Sequence, residues 1–304
     1  MVKYSCDRCG KEFPTNSRFV SHKQRKTPCK IKQTTGLNRK IIDKYYTTNT
    51  AVTKCMKLIT EHIEINEADL CIEPSAGNGS FIAYIKKVFA NYKFYDLEPE
   101  NNEIIKQDYL TFDYDTLIKK KYNKTHIIGN PPFGRQSSLA IKFIKKSCEY
   151  CDSISFILPK SFKKDSLKKH YPINFHLEYE YDLPDNSFIV DDKSFDVPCV
   201  FQIWVKKDTP RIVPKKLVPT KYKFVKKDEP HDISFRRVGV YAGTIDRQTE
   251  TKSTQSHYFI KCDNILTNKL FTRLSNINYN CKDHTVGPKS ISKQELMKEF
   301  NMII

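Results

Sequence analysis

No apolar run in the 304 residues approaches the roughly 18–20 needed to cross a bilayer. The opening MVKYSCDRCG also lacks the charged-then-apolar layout of a secretory signal. The two absences set the expectation of an intracellular protein, cytoplasmic or nuclear, with no membrane partner. In such a compartment the ten cysteines are no disulfide framework, which leaves metal ligands or buried thiols. Acidic residues are few beside basic ones, 35 against 52, and the resulting net charge of +17 favours polyanions, nucleic acid above all. Most of those basic residues are Lys, in a chain also rich in Asn, Ile and Tyr, a bias that an AT-rich genome produces whatever the function. The charge therefore supports a nucleic-acid partner without deciding it. A hydrophobic fraction of 39% with 29% charged residues describes a soluble globular chain. At roughly 100–200 residues per domain, its length suggests two domains and a small appendage.

The appendage is at the front. YSCDRCGKEFPTNSRFVSHKQRKTPCK holds Cys6 and Cys9 two residues apart, His22 twelve further on and Cys29 after six more. Zinc takes four soft or borderline ligands in a tetrahedron, which a Cys-x2-Cys knuckle and helix-borne ligands supply. Phe13 and Phe19 fall where metal binding would complete a small apolar core. The stretch resembles the ββα zinc-finger family, with Cys29 replacing the second His at a slightly long spacing. The resemblance implies a structural zinc on Cys6, Cys9, His22 and Cys29. The rival reading is four unrelated residues in a basic arm. A lone finger buries too little surface to read a nucleic-acid site unaided.

From about residue 50, helical and strand patterns alternate: NTAVTKCMKLITEHI, ADLCIEP, GSFIAYIKKVFA, YKFYDLEP. Alternation of this kind means βαβ units and a parallel sheet, whose ligands sit at the carboxyl ends of the strands. At the first such end, CIEPSAGNGSF carries Glu73, Gly77 and Gly79. No Lys-Ser or Lys-Thr follows the last glycine, which argues against a phosphate loop, and Ile82 stands where a dinucleotide fingerprint needs a small residue. An ordinary strand-to-helix turn remains an explanation. At the second end, Asp96 in FYDLEP lies about 20 residues on, the interval at which a carboxylate reaches ribose hydroxyls. At the third, Asp108 in IIKQDYL could accept from an adenine amino group while Tyr109 and Leu110 cover the ring.

The fourth strand is THIIGN, which runs into PPFG. The carbonyl oxygens of the Asn130 amide and of Pro131 can both accept from an amino group, and the rings of Pro131 and Pro132 hold them still. An exocyclic NH2 gripped in this way is drawn out of conjugation, and the positive charge that grows on it during attack on a sulfonium methyl is stabilised. No strong general base is needed. Phe133 offers a π surface for a base pulled from a helix.

The ordered motifs YYTTNTAV, IEPSAGNGSF, FYDLEP, QDYL, IIGNPPFG and SISFILPKSF resemble those of S-adenosylmethionine-dependent N6-adenine methyltransferases of the group whose cofactor region precedes the catalytic motif. The resemblance covers roughly residues 44–206. It implies a Rossmann-like α/β fold with a seven-stranded methyltransferase sheet, S-adenosylmethionine as cofactor and adenine N6 as acceptor; the polymer expected is nucleic acid, DNA ahead of RNA. It also implies that Tyr46 and Thr47 close over the methionine end, that Glu73 meets its ammonium, and that Ala76, Gly77 and Gly79 line the cofactor by backbone. Asp96 would then hold the ribose, Asp108 the adenine, and Asn130, Pro131, Pro132 and Phe133 the target amine. A second stacking aromatic is implied further on, with Phe188 the candidate; a core Phe is the equal alternative. Related motifs serve guanine N2 and protein glutamine, so NPPF alone does not choose the acceptor.

In the remainder, Cys148 and Cys151 form a second Cys-x2-Cys without a partner pair, which reads as helix-end thiols. The lysines of LPKSFKKDSLKKHYP, with Lys160, Lys163 and Lys164 foremost, are the candidate nucleic-acid track, a solvated face being the rival. The expected domains are 1–32 (finger), 33–208 (methyltransferase), 209–230 (a Pro- and Lys-rich linker) and 231–304, a small α+β recognition domain ending in a helix that buries Leu296, Phe300 and Ile303. Arg236, Arg237 and Arg247 there could reach phosphate or a base edge.

Overall fold

A computed structural model describes residues 4–6, 12–24, 44–114, 121–190 and 192–304. The chain divides into two units, Met1–Tyr45 and Tyr46–Ile304. In the first, β1 (Tyr4–Ser5) pairs antiparallel with β2 (Glu12–Phe13), and α1 (Asn16–Lys23) follows. Phe13 is buried, with its ring 6.0 Å from Phe19 and 4.7 Å from His22. This is the ββα order with its small aromatic core. Cys6 is buried, whereas Cys9 and Cys29 of the expected ligand set lie outside the described residues. Among the described residues no three metal-capable side chains come together.

The second unit is built on a seven-stranded sheet of β4 (Leu70–Glu73), β5 (Asn91–Asp96), β6 (Ile105–Lys106), β7 (Thr125–Gly129), β8 (Ser153–Pro159), β9 (Phe175–Asp182) and β12 (Cys199–Lys206). Their order is β6-β5-β4-β7-β8-β12-β9. Neighbours from β6 to β8 are parallel, and β12 is antiparallel to both β8 and β9, so one strand is reversed. This mixed α/β sheet is consistent with the Rossmann-like expectation. Every residue of β4, β7 and β8 is buried, which is why their sequences are apolar runs rather than alternations. α2 (Asn49–His62) turns Ala51, Val52, Cys55, Met56, Leu58 and Ile59 inward, and Thr48 caps it by accepting from Ala51 N at 3.4 Å. α3 (Ile82–Val88) and α4 (Ser138–Cys148) supply the other cover, and Trp204 stacks on Tyr171 at 4.0 Å within the core. Cys151 is fully buried there, as a helix-end thiol would be.

Two smaller sheets flank the large one. β3 (Tyr46–Thr47) pairs with β10 (Phe188–Val190), which pairs with β11 (Lys193–Phe195). The C-terminal sheet has the order β13-β16-β14-β15, all antiparallel, from Tyr222–Val225, His257–Cys262, Ile233–Arg236 and Ile245–Asp246. After the short helix α5 (Asp165–Lys168), the C-terminal helices are α6 (Asn268–Ser275) and α7 (Lys293–Ile303). α7 opens on a capping box between Ser292 and Glu295 and buries Leu296, Met297 and Phe300 against this sheet, leaving Ile303 half-buried.

The linker expected over 209–230 ends earlier than its composition suggests. Tyr222 is buried and pairs with Cys262, so the Lys-rich stretch contains an edge strand. The preceding segment is anchored by Arg211, whose guanidinium donates to the carbonyls of Pro172, Phe175, Lys168 and Tyr171. The strand expected from ISFRRVGVYAGTI stops at Arg236, because Gly239 and Gly243 take φ of +99° and +102° and fold the chain into a turn. Lys164 joins this domain to the larger sheet, with Nζ 2.7 Å from Ser290 O and 3.2 Å from Glu295 Oε1. Among the described residues no helix is long and apolar enough to cross a membrane. Phe300→Ala should lower stability by about 3–5 kcal/mol, the usual cost of emptying a buried aromatic site, as measured by urea denaturation.

Candidate active site

The carboxyl ends of β4, β5 and β7 lie side by side, and the residues just past them form one crevice. Glu73 ends β4 and is 2% exposed, and its Oε2 is buried with no hydrogen-bond partner. Burial pushes its carboxyl up to about 8, and the Asp96 charge adds to the rise. Gly129 makes room for it, since a Cβ there would come within 3.2 Å of Glu73 Cγ.

Beyond Glu73 the chain enters the glycine loop. Gly77 has φ +55° and Gly79 φ +87°, a region L side chains resist. A Cβ on Gly79 would also run into Ile82 Cδ1 at 2.7 Å. Asp96 shapes this loop: Oδ2 accepts from Gly77 N and Oδ1 from Glu98 N, each at 2.8 Å. A carboxylate oxygen has two acceptor sites, so these bonds leave Asp96 with capacity for a further pair of hydroxyls. Asp108 caps a single 3-10 turn, Oδ1 accepting from Leu110 N at 2.9 Å, and is half-buried. Tyr46 lies over the loop, its ring carbon 3.4 Å from where a Gly77 Cβ would be, and its hydroxyl donates to Glu100 Oε1 at 2.6 Å.

Thr47 connects this half to NPPF. It is opposite Phe188 in the small sheet, and its Oγ1 accepts from Asn130 Nδ2 at 3.3 Å. That bond uses one of the two N–H donors of the amide and fixes its nitrogen end towards Thr47. Asn130 O accepts from Ser75 Oγ at 3.3 Å, which ties the motif to the start of the glycine loop. Pro131 is buried, and Pro132 and Phe133 are half-buried. Immediately after, Gly134, Gln136 and Ser137 all have φ between 53° and 66°. Left-handed non-glycine residues cost of order 1–3 kcal/mol each and gather at sites where the chain is held for a purpose.

Three expectations are corrected. Tyr109 is 1% exposed, stacked 5.3 Å from Phe143, and its hydroxyl lies 2.8 Å from Ser147 Oγ, so its ring belongs to the core and cannot cover a cofactor. Half-buried Leu110 and Leu97, 60% exposed between Asp96 and Glu98, are the apolar surface near that position; the sequence signal for Leu97 was an apolar residue set between two acids. Phe188 is 1% exposed, so as it stands it is a packing residue behind Thr47, not a stacking face. The lysines form no unpaired track. Lys163 pairs with Asp182 at 2.8 Å and Lys160 with Asp182 at 3.4 Å, while Lys164 is held by Ser290 and Glu295. The carboxylates of β9 and α7, distant in sequence, neutralise them. Glu100 and Ser75 were not anticipated, since nothing in their spacing marks them.

The residues fit S-adenosylmethionine: an orphaned buried carboxyl group suits a cationic amino group, glycines at positive φ turn the loop tightly at the strand end, and two acids stand at adjoining strand ends. No family model matches the chain. It is 27% identical over 168 residues to the Arabidopsis thaliana protein ENHANCED DOWNY MILDEW 2, a match covering 48% of this chain and 13% of that protein. Among solved structures it is similar to a type I restriction-modification system methyltransferase subunit from Streptococcus thermophilus (15% identity, TM-score 0.39, 54% of this chain and 45% of that one). It is also similar to an rRNA methylase from Streptococcus thermophilus (12%, TM-score 0.36, 51% and 96%) and to TrmN from Thermus thermophilus (12%, TM-score 0.37, 53% and 49%). Likenesses this slight carry no functional weight.

Glu73 gives a test with a fixed sign. A carboxyl raised above its unfolded value disfavours the folded, ligand-free protein as pH climbs from about 4.5 towards 8. Glu73→Gln should therefore raise the ligand-free melting temperature at pH 8 while weakening S-adenosylmethionine binding. Wild-type affinity should increase between pH 6 and 8 as the carboxyl ionises, by at most about tenfold per unit. Calorimetric titration and thermal melts across that range check both.

Proposed function

We propose that the chain is an S-adenosylmethionine-dependent methyltransferase acting on the exocyclic N6 amine of adenine in nucleic acid, with DNA the favoured polymer. The observation that carries this reading is the placing of the Asn130 amide, its donor end held by Thr47, at a strand end beside the buried unpartnered carboxylate of Glu73. One end of the crevice suits a cationic amino acid, and the other presents fixed acceptors for a planar amine. S-adenosylmethionine, when bound, supplies an electrophilic methyl group.

The work of this chain is then to hold and polarise the acceptor. Asn130 Oδ1 and Pro131 O accept from the two amine hydrogens, which localises the nitrogen lone pair and stabilises the charge growing there. Pro131 and Pro132 hold these acceptors rigid, so little reorganisation is needed at the moment of transfer. Phe133 stacks on the base, and the released proton passes to solvent. The Cys6, Cys9, His22 and Cys29 set would bind one structural zinc, completing the aromatic core of Phe13 and Phe19. The basic charge suits either polynucleotide, and the preference for DNA rests on the finger.

The first test is incubation with isotopically labelled S-adenosylmethionine and, in parallel, duplex DNA, single-stranded DNA, structured RNA and protein, followed by digestion and mass spectrometry. Label in N6-methyladenine is expected; label in guanine N2 or glutamine would keep the cofactor and overturn the acceptor. Asn130→Ala should abolish transfer while cofactor binding stays near wild type, and wild-type turnover would sink the mechanism. Phe133→Ala should lower kcat/KM by an amount equivalent to about 1–3 kcal/mol. Metal analysis should find one zinc per chain, lost on removal of residues 1–32; retention of the metal would overturn the ligand set.

A further inference from the structure

A cleft of about 760 Å3 opens at one end of the C-terminal sheet, where β13 finishes and β16 begins, and no residue of the crevice described above lines it. Its volume falls in the range of small-ligand sites, roughly 300–1,000 Å3. Phe224 and Tyr258 form its apolar wall, with ring centroids 5.7 Å apart in a T-shaped arrangement, and both are half-buried. The partial exposure is a matter of register. Both rings lie on the face that α7 covers, since Phe224 pairs with Ile260, two residues from Tyr258, but they sit where that helix begins and its cover ends.

Cations surround these rings. Lys293, the first residue of α7, holds its ammonium 4.4 Å from the Phe224 centroid and 5.6 Å from that of Tyr258. The Arg237 guanidinium lies 5.3 Å from the Tyr258 centroid. Neither cation forms an ion pair with a described residue, in contrast to Lys160, Lys163 and Lys164. Exposed Lys226 and Asp228 stand on the rim. Two aromatic rings with cations that have no carboxylate to satisfy them suit a ligand that is planar and apolar on one side and anionic on the other. A nucleotide within a single strand has that composition.

We propose that this cleft is a second nucleotide-binding site, which takes one base and its phosphate from a single-stranded stretch of the polynucleotide, outside the catalytic crevice; the inference rests on the nucleic-acid reading given above. The base takes the place of the Lys293 ammonium over Phe224, and the lysine, on its flexible stem, moves onto the phosphate together with Arg237. Base-on-aromatic stacking tolerates any sequence, because every base has a π face. The site therefore adds affinity without choosing the target.

Oligothymidylate of ten nucleotides, fluorescently labelled, tests the site apart from the methyl acceptor because it contains no adenine. Binding to the full chain is read by anisotropy at low salt. Lys293→Glu and Phe224→Leu should each weaken binding at least about fivefold. Both should stay folded by thermal melting: an acid at the first helical position suits the helix dipole, and Leu keeps most of the apolar volume while removing the π face. Lys298→Glu, an equal charge change on the same helix, should leave binding within twofold. Wild-type-like binding by Lys293→Glu and Phe224→Leu, or equal weakening by Lys298→Glu, would overturn the site. If the wild type methylates adenine in a polynucleotide but does not bind oligothymidylate, the site fails and the methyltransferase reading stands. If no polynucleotide is either bound or methylated, both fall.

Discussion

The crevice depends on one unfavourable placement, a carboxylate buried at a strand end with nothing to bond to it. Glu73 follows three fully buried residues, and Gly129 on the adjoining strand leaves room for its side chain, since a Cβ there would come within 3.2 Å of Glu73 Cγ. A folded chain tolerates a cost of this kind where the missing partner arrives as a ligand. The features around it follow from that need. Asp96 braces the glycine loop instead of compensating Glu73, and its negative charge raises the Glu73 carboxyl further. The strained backbone past Phe133 is a second cost of the same type at the same crevice. Stability is spread elsewhere, through the apolar runs of β4, β7 and β8 and the stacked Tyr171–Trp204 pair.

The sheet was legible because its signals are local: apolar runs of four to seven residues, helices of clear amphipathic spacing, and glycines where a strand turns into a helix. The strand ends were legible for the same reason, since a carboxylate or an amide just past an apolar run marks a place whatever lies around it. What could not be read was decided by residues far away in sequence. The Lys160–Lys164 group resembles a basic track until β9 and α7 bring Asp182 and Glu295 to it. Tyr109 resembles a crevice residue until α4 supplies Ser147 for its hydroxyl. The edge strand at Tyr222 was hidden by the lysines alternating along it, whose composition matches a linker.

Cations of this chain fall into two kinds, those paired with acids and those resting on aromatic rings. Beside the large sheet, lysines are matched by acids from other elements and serve as struts, Lys164 joining one sheet to the other domain. In the C-terminal domain Lys252, Lys261 and Lys289 are likewise paired with Asp246, Asp232 and Asp283, whereas Arg237 and Lys293 lie against aromatic rings and form no ion pair with a described residue. Net charge of +17 is thus a poor guide to where a polyanion would lie. The distinction depends on which cations are already paired, because paired surface charges gain little from a new partner.

The two-residue strand β3 has a further consequence. Successive side chains of a strand point to opposite sides, and here Tyr46 turns to the glycine loop and Glu100 while Thr47 turns to Asn130. One short segment, held by its pairing to Phe188 and Ile189, therefore serves both halves of the crevice. The conformational entropy of ordering this segment is lost on folding, through its pairing to β10, so both halves of the crevice share a backbone that is already in place before any ligand arrives.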